Sequence, residues 1–150
     1  MLVTENNSRL PQTVLVVDDE VMILRYVRTL LEADGYKVIT ADSGTEALAQ
    51  LRSGLRPDAV LLDVNMPGMD GLETLRELLR LYPGSRVIMC SCEADPRKAL
   101  NAFVLGAQDF LTKPFRHLYL SAALERCLNT NDGTRSAPWD MVRDLWEAAT

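Results

Sequence analysis

Five short apolar runs, at positions 13–17, 37–41, 59–62, 86–91 and 109–112, recur along the chain, each followed by a longer amphipathic stretch. This alternation predicts parallel strands joined by crossover helices. Positions 14–17 and 60–62 are apolar throughout, as central strands covered on both faces require. Helix starts are marked by caps: Ser43 precedes Glu46 and Asp70 precedes Glu73 at capping-box spacing, and Asp95 precedes Pro96 at a fourth helix. The first helix is expected over 20–34, stopping at Gly35, and the fifth over 116–129. The fold class is therefore α/β, a doubly wound five-stranded parallel sheet in the order 2-1-3-4-5, with ligands expected at the carboxyl ends of the strands.

The 150 residues, 47% hydrophobic and 25% charged, suit one domain at 12–129. Residues 1–11 read as a flexible tail and 130–138, polar and rich in turn formers, as a linker. Beyond it Trp139, Val142, Trp146 and Ala149 fall at i, i+3, i+7 and i+10, an amphipathic helix over 139–150. That helix is too short to stand alone and is expected to dock on the domain, a second copy or another domain. The net charge of -5 argues against nucleic-acid binding through this domain. No apolar stretch reaches the roughly 18 residues of a spanning helix, and no signal peptide is evident, so a cytoplasmic protein without membrane association is expected. Cys90, Cys92 and Cys127 are too few and too poorly spaced for a disulfide framework and read as reduced, small core residues.

The carboxylates carry the chemistry. Asp18 and Asp19 directly follow the first strand and Asp63 the third, so a doubly wound sheet converges all three on one edge. Two carboxylates about 5 Å apart repel by roughly 3 kcal/mol at an effective dielectric near 20, so such a cluster points to a bound cation. Hard oxygen ligands suit Mg²⁺ or Mn²⁺. Lys113, ending the fifth strand, adds a positive charge, and Ser91, ending the fourth, a hydroxyl. Together these groups form a cage for a tetrahedral oxyanion beside an aspartate oxygen, which suits phosphoryl transfer.

The blocks Val16-Val17-Asp18-Asp19-Glu20, Leu61 through Gly71 (with Asp63, Asn65, Pro67 and Gly68), Ser91, and Phe110-Leu111-Thr112-Lys113-Pro114-Phe115 occur in this order. As a set they resemble the response regulator receiver domains of bacterial two-component signalling, over about residues 12–129. The resemblance implies a flavodoxin-like fold in which Asp63 accepts a phosphoryl group from a sensor histidine kinase or phosphotransfer protein. It implies Asp19 as a direct metal ligand, Asp18 acting through water, and the Asn65 backbone carbonyl as a further ligand. Lys113 and Ser91 would bind phosphoryl oxygens, and Lys113-Pro114 would be cis. Ser91 and Phe110 would form a switch acting on the fourth helix, fifth strand and fifth helix, with homodimerisation on phosphorylation as one outcome. Phe110 lacks the hydroxyl that many members carry there. Asn65 and Glu93, each two residues beyond a site residue, would tune dephosphorylation, a pairing similar to chemotaxis-type receivers that implies rapid self-dephosphorylation.

Blander readings exist for single residues. Asp18 and Asp19 alone are ordinary pre-helix acids, Phe115 reads as core, and His117, the only histidine, as an exposed residue with no second ligand. A haloacid-dehalogenase-type hydrolase needs a second aspartate two residues after the nucleophile, where this chain has Asn65. An interaction module that is never phosphorylated usually lacks one of the acids or the lysine, and all are present here. A flavodoxin-like cofactor binder needs glycines or hydroxyls where the first loop is acidic.

Overall fold

The computed structural model describes residues 10–92 and 95–129. The expectations for the tail at 1–9, for Glu93, for the linker at 130–138 and for the helix at 139–150 lie outside the described residues.

Five strands, β1 (Thr13–Val17), β2 (Lys37–Ala41), β3 (Ala59–Asp63), β4 (Val87–Ser91) and β5 (Asp109–Thr112), alternate with five helices, α1 (Val21–Ala33), α2 (Gly44–Arg52), α3 (Gly71–Leu81), α4 (Pro96–Leu105) and α5 (His117–Asn129). All strand pairs are parallel and the order is β2-β1-β3-β4-β5, as the sequence predicts. The differences are confined to element ends. α1 and α5 begin one residue later than expected, β4 begins at Val87, and β3 runs one residue further to include Asp63.

Side chains alternate across each strand, so the sheet carries two cores. Leu15, Val17, Val60, Leu62 and Met89 pack with α2, α3 and α4, whereas Val14, Val16, Leu61, Ile88 and Cys90 pack with α1 and α5. β3 and β4 are buried at every position, which explains their unbroken apolar sequences.

The caps form largely as expected. Ser43 Oγ accepts from Glu46 N at 3.0 Å, Asp70 Oδ1 from Glu73 N at 2.9 Å, and Asp95 Oδ1 from Arg97 N at 3.0 Å. The Glu46 carboxylate accepts from Gln50 Nε2 at 3.4 Å, drawing it along the helix. α1 ends where Gly35 takes φ 94°, a conformation that favours glycine.

His117 has a partner that its position in the sequence does not reveal. Its Nε2 lies 2.9 Å from Asp34 Oδ2, the same oxygen that accepts from Ser121 Oγ at 2.6 Å. The α1 C-cap is thereby tied to the first two turns of α5. Cys90 and Cys127 are buried as expected, but Cys92 is exposed because it lies just past β4.

Candidate functional site

Strand register builds the site. Val17 pairs with Leu62 and Asp63 with Cys90, so the residues leaving β1 and β3 emerge side by side. By alternation Asp18 follows Val14 and Val16, and Asp63 follows Leu61, toward α1 and α5. Both aspartates line one pocket there with Cys90, Lys113 and Phe115. Phe115 is half-buried and packs against that core. Asp18 N donates to Ala41 O at 3.1 Å, Val64 N to Cys90 O at 2.9 Å and Lys113 N to Ser91 O at 2.7 Å, so the ladder continues one residue past β1, β3 and β5.

Asp18, Asp19 and Asp63 each offer a carboxylate oxygen, and the three oxygens lie within 4.8 Å of one another. Asp18 and Asp63 are buried and Asp19 is exposed. Lys113 Nζ reaches Asp18 Oδ2 at 2.6 Å and Asp63 Oδ1 at 3.2 Å. The other Asp18 oxygen accepts from Glu20 N, at the start of α1, at 2.9 Å. Both oxygens of Asp18 are thus engaged, while Asp19 faces solvent.

Burial raises the Asp63 carboxyl above its ordinary range and the Asp18 charge raises it further, whereas Lys113 and the Asn65 N–H, 3.4 Å away, pull it back. Burial opposes the charge on Lys113, but the hydrogen bond and charge of Asp18, with those of Asp63, hold its ammonium above the usual value. A carboxylate whose neighbour raises its affinity for a proton attracts other cations by the same field. Three oxygen donors at this spacing fit a hard divalent ion that keeps part of its water.

The Asp63 loop is closed by a glycine. Gly71 N donates to Val64 O at 2.9 Å, and a Cβ on Gly71 would overlap the Asp63 carbonyl and Val64 Cα. Only glycine lets α3 start this close to the loop. Ser91 is fully buried at the end of β4, with Thr112 opposite it. Phe110 is buried in the core shared with α2, α3 and α4, opposite Met89. The Lys113–Pro114 peptide is cis.

The structure thus brings Asp18, Asp19, Asp63 and Lys113 together, joins Asn65 to Asp63 through its backbone, and holds Ser91 and Phe110 inside. One contact escapes sequence reasoning: Lys98 Nζ, from the first turn of α4, donates to Asn65 Oδ1 at 3.1 Å. The cap at Asp95 locates Lys98 on its helix, but no spacing rule links it to a residue 33 positions earlier.

Among the described residues, no helix is long and apolar enough to cross a membrane. Residues 14–125 match the family described as response regulator receiver domain. Protein CcdB of Bacillus subtilis (strain 168) is 36% identical over 115 residues, 77% of this chain and 96% of that protein. The structure of chemotaxis protein CheY4 of Vibrio cholerae superimposes with a TM-score of 0.76 at 36% identity, covering 79% of this chain and all of the other. A CheX–CheY–BeF3–Mg²⁺ complex from Borrelia burgdorferi gives 0.76 at 28% identity, over 79% of this chain and 90% of that one. Sheet order, acid-lined strand ends and sequence agree, and the chain belongs to the response regulator receiver domain family.

Proposed function

We propose that this domain accepts a phosphoryl group on Asp63 from a sensor histidine kinase or a phosphotransfer protein, with Mg²⁺ or Mn²⁺ held by Asp18, Asp19, Asp63 and the Asn65 carbonyl. The observation that carries the reading is the trio of aspartate oxygens within 4.8 Å, bridged by the Lys113 ammonium. Asp19, exposed, is assigned as the direct ligand, and Asp18, with both oxygens engaged, acts through water. The BeF3–Mg²⁺ complex of the Borrelia relative supports this choice of metal. When bound, the metal neutralises charge on the phosphoryl oxygens.

In the transfer, an Asp63 oxygen bonds to phosphorus as the P–N bond to the donor imidazole breaks. The bonding pair goes to that nitrogen, which takes a proton from solvent. Lys113 is already aligned with Asp63 and stabilises the charge that arrives. Ser91 then turns toward the phosphoryl oxygens, and the room it leaves lets Phe110 shift deeper. Moving such a surface on α4, β5 and α5 from mostly off to mostly on takes about 5.5 kcal/mol of differential binding. Its outputs are a partner, an effector domain or a second copy of the chain. Asn65 and Glu93 tune how long the phosphoryl group persists.

Incubation with acetyl phosphate and Mg²⁺, followed by intact mass measurement, tests the reading. An acid-stable, hydroxylamine-labile phosphoryl adduct is expected, and it is absent from Asp63→Ala. An adduct that survives that substitution, or none in the unaltered chain, overturns the assignment.

A further inference from the structure

We infer that Lys98 is a positioning residue that slows hydrolysis of the Asp63 phosphoryl group by engaging the carboxamide oxygen of Asn65. The inference rests on Asp63 being the phosphoacceptor.

Asp95 and Pro96 open α4, so Lys98 stands in the first turn, near the positive end of the helix dipole and three residues after the Asp95 N-cap. A cation there is at the unfavourable end of its helix. The Lys98 ammonium donates across the loop to Asn65 Oδ1 at 3.1 Å, while the Asn65 backbone N–H lies 3.4 Å from Asp63 Oδ1. One residue therefore touches the acceptor carboxylate through its backbone and α4 through its side chain.

Hydrolysis needs a water whose oxygen bonds phosphorus as the P–O bond to Asp63 breaks. The electron pair returns to the Asp63 carboxylate, and both protons of the water leave on the released phosphate. An oxygen acceptor beside the approaching water orients it and lowers the cost of aligning it. The Asn65 carboxamide oxygen is such an acceptor. A charge-assisted bond from an ammonium is stronger than the bond a water offers, and it fixes the side chain. Lys98 thereby diverts the oxygen from the water, and the lifetime of the phosphoryl group responds to the position of α4.

The test follows decay of the preformed phosphoryl adduct, by intact mass, after acetyl phosphate is removed from the full chain in Mg²⁺. Lys98→Met is expected to shorten the lifetime about three- to tenfold, the scale of one hydrogen bond in a rate. Lys98→Arg restores it, and in an Asn65→Ala background Lys98→Met changes nothing. An unchanged or longer lifetime in Lys98→Met, or the same acceleration with Asn65→Ala, overturns the inference. If Lys98→Met does not fold, Lys98→Gln carries the same test. Failure to label the unaltered chain overturns the phosphoacceptor reading and this inference together. Labelling with unchanged decay overturns only the role of Lys98.

Discussion

Lys113 and Asp18 stand 95 positions apart in sequence and 2.6 Å apart in space, and the same ammonium lies 3.2 Å from Asp63. One cation therefore spans the ends of β1, β3 and β5, closing across the sheet a cluster of acids that would otherwise repel.

That compensation is incomplete, because burial and Asp18 leave the Asp63 carboxyl above its ordinary value. A raised folded-state value means that stability is full below the ordinary 3.8 and is lost as pH climbs through the folded value. Asp63→Asn is accordingly expected to be more stable than the unaltered chain at pH 7. About 1 kcal/mol is the scale left when Lys113 offsets most of the like-charge repulsion. Urea titrations without added metal should show that gain vanishing in acid below that value, and Mg²⁺ should narrow it at neutral pH.

Gly71→Ala is expected to cost about 2 kcal/mol or more, since the added Cβ displaces either α3 or the Asp63 loop. Denaturant unfolding gives the stability loss, and the rate of labelling by acetyl phosphate should fall with it. Gly84, where a Cβ would meet nothing within 4 Å, provides the control substitution.

The tie between α1 and α5 depends on pH in the opposite sense. The Ser121 hydrogen bond is the largest influence on the Asp34 carboxyl; burial opposes it, and the hydrogen bond and charge of His117 help hold the group below its ordinary 3.8. Its contribution is present above that value and disappears as pH falls through the lowered one. Ser121→Ala should cost about 1 kcal/mol at pH 7, the scale of one hydrogen bond, and progressively less in acid, as measured by chemical denaturation at each pH.

The thiols should divide by burial. Burial pushes Cys90 up to about 12 and Cys127 up to about 11. Cys92 is exposed. A thiol reagent at pH 8 is expected to label Cys92 rapidly in the native chain and all three cysteines in denaturant, with peptide mapping as the readout. Rapid native labelling of Cys90 would show that β4 opens.

The sheet order and the convergence of Asp18, Asp63 and Lys113 were legible because both follow from strand periodicity and residues placed directly at strand ends. The family resemblance drew on the same positions. The partners of His117 and Lys98 were not legible. Both contacts join side chains on elements distant in sequence, whose meeting depends on how helices and loops lie over the sheet rather than on any local pattern. Cys92 was misjudged because it shares an apolar stretch with Cys90, and a strand that ends at Ser91 leaves the next residue in the loop. The role of Gly71 was ambiguous for a related reason: a turn-like sequence does not reveal that a backbone passes close by.

Neighbouring acids 18 and 19 share a charge but not a situation. The first is knitted into the opening of α1 and into the lysine, so altering it loosens the scaffold. The second faces solvent and can receive an ion without first surrendering the bonds that Asp18 carries. Under the proposed metal role, affinity can therefore drift at position 19 while the architecture stays put, an adjustable threshold for ion occupancy separate from foldedness.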